Sequence, residues 1–269
     1  MKPLLLGLAT ALALVACATT TSPTGRRQSV GAVSQEQLNQ MGAQAFVDAK
    51  SKGKLSADAR QNGYVRCVVD SVTRQLPAGW QAQWDVAVFV DSSPNAFALP
   101  GGKVGVNTGI FTVAKNQDQL AAVIAHEIGH VVSRHHDERI TRQITAQTGL
   151  SIAGALLGSR YGEGAANATN QFGGAAVQGL FLLPGSRTQE TEADVVGQQL
   201  MAQAGFDPQQ AVNLWQNMIA ASSSGSRPPQ WLSTHPDPQS RIQELRARAG
   251  GLMPAYQQAR AAGRTPKCG

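Results

Sequence analysis

Asn116-Gln117-Asp118-Gln119-Leu120-Ala121-Ala122-Val123-Ile124-Ala125-His126-Glu127-Ile128-Gly129-His130-Val131 is the stretch on which the reading of this chain turns. Leu120, Val123, Ile124, Ile128 and Val131 recur at three- and four-residue spacing and predict a helix with a buried face. Asn116 suits its N-cap, with Gln119 three positions on as the reciprocal partner. Within the helix, His126-Glu127-Ile128-Gly129-His130 sets two imidazoles four residues apart, one above the other. Both can then point at one ion about 2 Å from each nitrogen. Glu127 falls about 100° round the helix, off the ion but placed to take a proton from a water beside it. Gly129 lets a neighbouring element pack closely.

The H-E-x-x-H pattern alone also arises by chance, so the downstream sequence carries weight. A zinc hydrolase uses three protein ligands and one open position. Glu190-Thr191-Glu192-Ala193-Asp194 offers a carboxylate and, one turn later, an aspartate on the same helical face. Glu190 completes a one-zinc site with His126 and His130, while Asp194 accepts a hydrogen bond from the outer nitrogen of a ligand histidine. Glu192 competes for the ligand role but lacks an acidic partner four residues on. His135 and His136, rotated off the ligand face if the helix runs on, are expected to support the site or to be solvated.

Outward from this centre the chain reads as α+β, mainly helical, with a small antiparallel sheet beside the active-site helix. Gln35 to about Ala49 and Ser56 to about Gln75 are predicted helices, the second with a stripe of Val65, Val68, Val69 and Val72. Trp84 to Val90 reads as a strand, and Asn95 to Asn107 as two antiparallel strands joined through Pro100-Gly101-Gly102. Residues 149–184 suggest two small-residue helices packed tightly or against a membrane surface, joined by a mobile loop. Three helices follow: Glu190 to Ala204, one opened by Asp207-Pro208, and one opened by Asp237-Pro238 and closed at Gly250. Ser222 to Pro229 is a loop by composition.

With 42% apolar and 15% charged residues, the 269-residue chain has the composition of one folded domain. Its charge of +6 gathers late, at Arg241, Arg246, Arg248, Arg260, Arg264 and Lys267. With no aromatic interleaving or recognition motif, these point to a solvated basic face and not to nucleic acid. At the other end, Lys2 precedes an apolar run from Leu4 to Val15, too short to span a bilayer comfortably but suited to a secretory signal. Leu14-Val15-Ala16-Cys17 resembles a bacterial lipobox, which implies a signal peptide over 1–16 and a lipid anchor on Cys17, an ordinary cleaved signal and an uncleaved membrane anchor being the alternatives. Residues 17–31 then read as a flexible tether and 32–269 as the catalytic domain. Cys67 and Cys268 remain, and an oxidising compartment permits a disulfide between them, two separate thiols being the alternative.

Taken together, His126 to His130, Ser186-Arg187 leading into Glu190 through Asp194, the segment Asn95 through Gly102, and Ser233-Thr234-His235-Pro236 followed by Arg241 resemble the M48 peptidase family, including its periplasmic lipoprotein members. The resemblance spans about 95 to 245. It implies a zincin-like fold and a zinc-dependent endopeptidase with Glu127 as general base. It also implies that Asn95, Ala96, Phe97, Ala98 and Leu99 form an edge strand pairing with extended substrate. His235 would reach over the metal to the oxyanion, and Arg241 would brace the loop or share that charge. The implied substrates are unfolded or extended envelope polypeptides. The implied location is the periplasmic side of the outer membrane, with envelope assembly machinery as a further partner. A chaperone-like or assembly factor for unfolded outer-membrane proteins is the alternative, against which Glu127 argues, because a binding module needs no general base. The long hydrophobic spans of the integral-membrane members are missing from this chain.

Overall fold

Every residue from Gln119 to Val131 is buried, so the helix predicted from its apolar stripe is enclosed on all sides. This helix, α3 (Gln117–Val132), is the axis of the computed structural model, which describes residues 18–81, 84–161, 185–223 and 230–269. Asn116 caps it as expected, accepting from Gln119 N at 2.9 Å. The return bond from the Gln119 side chain goes one residue further, to Lys115 N.

Around α3 the elements follow in chain order. β1 (Ala18–Thr21) and β2 (Arg27–Val30) form an antiparallel hairpin. Then come α1 (Gln35–Lys52), α2 (Ala59–Thr73), β3 (Asp85–Phe89), β4 (Ala96–Leu99) and β5 (Lys103–Asn107). After α3 follow α4 (His135–Tyr161), α5 (Arg187–Ala204), α6 (Gln210–Ser223), the short α7 (Gln230–Thr234) and α8 (Pro238–Ala261). The result is an α+β domain, mainly helical, with small sheets beside the helical core. β4 and β5 pair antiparallel through the Pro100-Gly101-Gly102 turn, where both glycines take the positive φ that such a turn requires. β3 joins the other side of β5 in parallel, so the three-stranded sheet is mixed and β4 is an edge.

The core is one apolar cluster centred on α3. Leu120, Val123, Ile124 and Ile128 pack with Val65, Val68, Val69 and Val72 of α2, Leu200 and Met201 of α5, and Leu214, Trp215 and Met218 of α6. Leu38 and Phe46 of α1 form a second cluster with Phe89, Leu99 and Ile140.

Three expectations change. α8 does not stop at Gly250 but runs through Gly250, Gly251 and Pro254 to Ala261, with Leu245, Ala249 and Ala259 buried along it. Of the late cations, Arg246, Arg260, Arg264 and Lys267 are exposed as expected, but Arg241 is fully buried. Residues 18–30, read from their composition as a flexible tether, are folded: Val30, Gln28 and Ser22 are buried. Gly31 N and Ala32 N donate to Asp137 and Thr141 of α4. Backbone pairing and side-chain hydrogen bonds order this polar stretch without a hydrophobic core.

The folded hairpin bears on the expected membrane partner. The cysteines among the described residues, Cys67 and Cys268, are bonded to each other with Cα atoms 5.4 Å apart. Neither supplies a thiol for a lipid, and the slack segment meant to carry an anchor is strand from Ala18 onward. The expectation of membrane attachment is corrected accordingly; Cys17 and the signal over 1–16 lie outside the described residues. So does most of the second small-residue segment, 162–184, whereas the first continues α4 to Tyr161. Among the described residues, no helix is long and apolar enough to cross a membrane.

The disulfide ties α2 to the C-terminus across 201 residues of sequence. Closing so long a loop restricts the unfolded chain, so the Cys67→Ser/Cys268→Ser protein is expected to lose about 2–4 kcal/mol of stability, measured by urea unfolding. An unchanged midpoint would show that the bridge contributes nothing.

Candidate metal centre

The site is assembled where α3 crosses α5. A Cβ on Gly129 would lie 2.8 Å from the Ala193 carbonyl oxygen, and one on Gly197 would lie 3.0 Å from the His126 nitrogen. Glycine on each helix thus permits the backbones to meet. Ser186 and Gln189 form a reciprocal capping box at the start of α5, which fixes the first turn and its Glu190. The short α7 carries Trp231, with His235 just beyond it, its N–H bonded to the Trp231 carbonyl. α8 contributes Arg241.

His126, His130, Glu190 and His235 each offer one donor atom, all within 4.8 Å of one another, and all four residues are buried. The Nε2 atoms of His126 and His130 are 3.1 Å apart. Glu190 Oε2 is 3.4 Å from His126 Nε2, and Glu190 Oε1 is 3.5 Å from His130 Nε2. Donors about 2.0–2.1 Å from a tetrahedral ion are separated by roughly 3.3 Å, so these spacings match the edges of such a polyhedron. Glu190 Oε1 is buried with no hydrogen-bond partner among the described residues, a costly state for a carboxylate oxygen that an ion would relieve. The donor set therefore fits a divalent metal ion.

Charge supports the fit. Burial alone would push the Glu190 carboxyl up, but the charge on His235 beside it holds it far below the usual carboxylate range. Burial depresses His130 well below an ordinary histidine, which leaves its ring neutral, as a ligand must be. His235 is opposed by burial yet pushed up to about 9 by Glu190 and Glu127. With Arg241, it supplies the positive charge facing Glu190.

Beyond the donors, Asp194 Oδ1 lies 3.0 Å from His126 Nδ1, where a hydrogen bond orients that ring. Arg241 forks onto Asp194 through Nε and Nη2 at 2.7 and 2.6 Å, and its Nη1 donates to Glu190 Oε2 at 2.9 Å. Its guanidinium lies 4.1 Å from the Trp215 ring centroid. Glu127 Oε1 accepts from Trp231 Nε1 at 3.0 Å and sits 3.2 Å from His235 Nε2.

The structure thus brings together His126, Glu127, His130, Glu190, Asp194, His235 and Arg241. His235 stands differently from the expectation. Its Nδ1 is 2.8 Å from Glu190 Oε2 and 3.2 Å from His126 Nε2, inside the donor cluster and not above it. Glu192 points away from the donors to His135. His135 and His136 are both buried, because the helix ends at Val132 and Arg134, with φ 56°, turns the chain back so that His135 meets His130. Trp231 was not foreseen: it is four residues before His235, but a five-residue helix is too short for a periodic signal. Ala96–Leu99 form β4, which among the described residues is hydrogen-bonded to β5 on one side only, and the Asn95 carbonyl accepts from Asn107 just ahead of it.

A family model described as peptidase family M48 matches residues 59–249, which include every residue of the centre. The chain is 42% identical over 165 residues to the mitochondrial metalloendopeptidase OMA1 of Schizosaccharomyces pombe, covering 61% of this chain and 46% of that protein. It is 36% identical over 168 residues to the beta-barrel assembly-enhancing protease of Escherichia coli, covering 60% of this chain and 33% of that one. The matches thus span less than half the length of these relatives. Since the family model takes in most of the described domain, from α2 to the middle of α8, together with the whole donor cluster, the chain belongs to peptidase family M48.

Proposed function

We propose that this protein is a zinc-dependent endopeptidase that hydrolyses peptide bonds in extended or misfolded proteins of the cell envelope. The observation that carries the reading is the position of Glu127: a buried carboxylate, held by Trp231, beside four buried donors whose atoms lie within 4.8 Å of one another. A purely structural metal site has no use for such a neighbour, which favours hydrolysis over a chaperone-like or assembly role.

In this reading His126, His130 and Glu190 hold one zinc ion. When bound, the ion polarises the scissile carbonyl and acidifies water. Glu127 takes the proton from the attacking water and returns it to the leaving amine. Asp194 and Arg241 keep His126 and Glu190 in place. A catalytic site needs one open position, so His235 leaves the donor cluster for substrate to enter, and from there it can face the developing oxyanion. The one-sided β4 edge suits main-chain pairing with an extended peptide, which recognises backbone more than sequence.

The compartment is argued from the Cys67–Cys268 disulfide, which belongs to oxidising surroundings, and from the apolar run of Leu4 to Val15 that reads as an export signal. A periplasmic location agrees with both.

The test is metal removal. Dialysis against a chelator is expected to abolish cleavage of unfolded casein, and one equivalent of zinc to restore it. Cleavage that survives complete removal of metal would end the zinc reading.

A further inference from the structure

The two histidines of α3 are anchored differently. His126 Nδ1 meets a carboxylate directly, Asp194 Oδ1 at 3.0 Å. His130 Nδ1 instead meets a second imidazole, His135 Nδ1 at 2.7 Å. The other nitrogen of His135 is 3.0 Å from Glu192 Oε2. Glu192 in turn accepts from Arg26 Nε at 2.8 Å and from the Thr24 hydroxyl. Arg26 turns its remaining nitrogens onto Glu138 of α4 at 2.9 and 2.8 Å, and Gln189 of α5 donates to the same carboxylate at 2.8 Å. His135 is fully buried, and Glu192 and Glu138 nearly so.

The protons in this row can be placed. For His130 to offer its Nε2 lone pair to an ion, its proton must sit on Nδ1 and be donated to His135 Nδ1. His135 then carries its own proton on Nε2 and donates it to Glu192. Arg26 Nε and the Thr24 hydroxyl donate to the same Glu192 carboxylate and hold it in place. Without an acceptor at His135 Nδ1, the tautomer and the ring angle of His130 lose their restraint.

We propose that Arg26, Glu192 and His135 form a hydrogen-bonded relay that positions the metal ligand His130, so that the N-terminal hairpin is a working part of the metal centre. The three are positioning residues, acting on the site through His130. This assignment rests on the metal-centre reading above, and it makes residues 18–30 necessary for full metal affinity.

The experiment measures zinc affinity of the full chain by competition with a chromophoric chelator, and thermal unfolding of the metal-free proteins alongside. The variants are His135→Phe, His135→Asn and Arg26→Met. His135→Phe is expected to weaken zinc binding about 10- to 100-fold. Asparagine can set its amide oxygen where Nδ1 stands, so His135→Asn is expected to recover most of that loss despite filling the buried space less well. A packing role predicts the reverse order. Arg26→Met is expected to weaken binding about 10-fold, the low end of the same range, because it acts through two intervening side chains. Equal losses for phenylalanine and asparagine, or unchanged affinity for Arg26→Met, would overturn the relay. Failure of the parent protein to bind zinc would instead remove the metal-centre reading on which it rests.

Discussion

Glu127→Gln is expected to lower turnover of an unfolded protein substrate by about 10²–10⁴-fold while leaving zinc bound. The carboxylate is buried, which by itself favours the protonated acid, but the neighbouring charge on His235, its hydrogen bond and that of Trp231 outweigh burial and hold it ionised. It is therefore an acceptor waiting for a proton. Glutamine has the same shape and still accepts from Trp231 Nε1, yet it cannot take a proton. The donors His126, His130 and Glu190 are untouched, so metal content should stay near one per chain. Turnover within a few-fold of the parent, at equal zinc content, would remove Glu127 from the chemistry. Loss of zinc together with activity would make its role structural.

Arg241→Met is expected to cost about 3–5 kcal/mol of folding stability in the metal-free protein, the loss associated with stranding buried charges. Arg241 is 2% exposed and is the shared partner of Asp194 and Glu190. Methionine fills much of the volume against Trp215 but leaves Asp194 without its fork and Glu190 Oε2 with His235 as its remaining cationic partner. Bound zinc can compensate Glu190 but not Asp194, so the deficit should shrink, without vanishing, when zinc is present. Urea unfolding with and without zinc measures both. A metal-free loss below about 1 kcal/mol, the scale of an exposed pair, would contradict the account.

The sequence made α3 and its ligands legible because one period governs both. The spacing that buries Leu120, Val123 and Ile128 also stacks His126 on His130. The β4–β5 turn was equally plain, since two glycines after a proline leave few alternatives. What escaped the reading depends on contacts distant in sequence or on a break in the period. His135 was placed by extending the helix past Val132, where a left-handed Arg134 ends it. α8 was stopped at Gly250, but its buried residues on both sides of that point keep it helical. The hairpin's composition cannot build a core and so reads as loose, and composition is silent about Glu138 and Glu192 waiting more than a hundred residues away. Arg26 looked like a tether residue because its two partners lie on other helices.

On the proposed function the chain cuts polypeptides and is itself one, which gives the bond between Cys67 and Cys268 a second meaning. His126, Glu127, His130, Glu190, His235 and Arg241 all lie between its two ends, inside a single covalent ring. One nick anywhere in that ring, whether by a neighbouring copy or another protease, opens the ring without releasing a fragment. The two pieces stay linked through sulfur, with α3 and α5 able to hold their crossing. A first cut therefore shows on a reducing gel but not on a non-reducing one, and a reductant or a second cut is needed to separate what the first left joined.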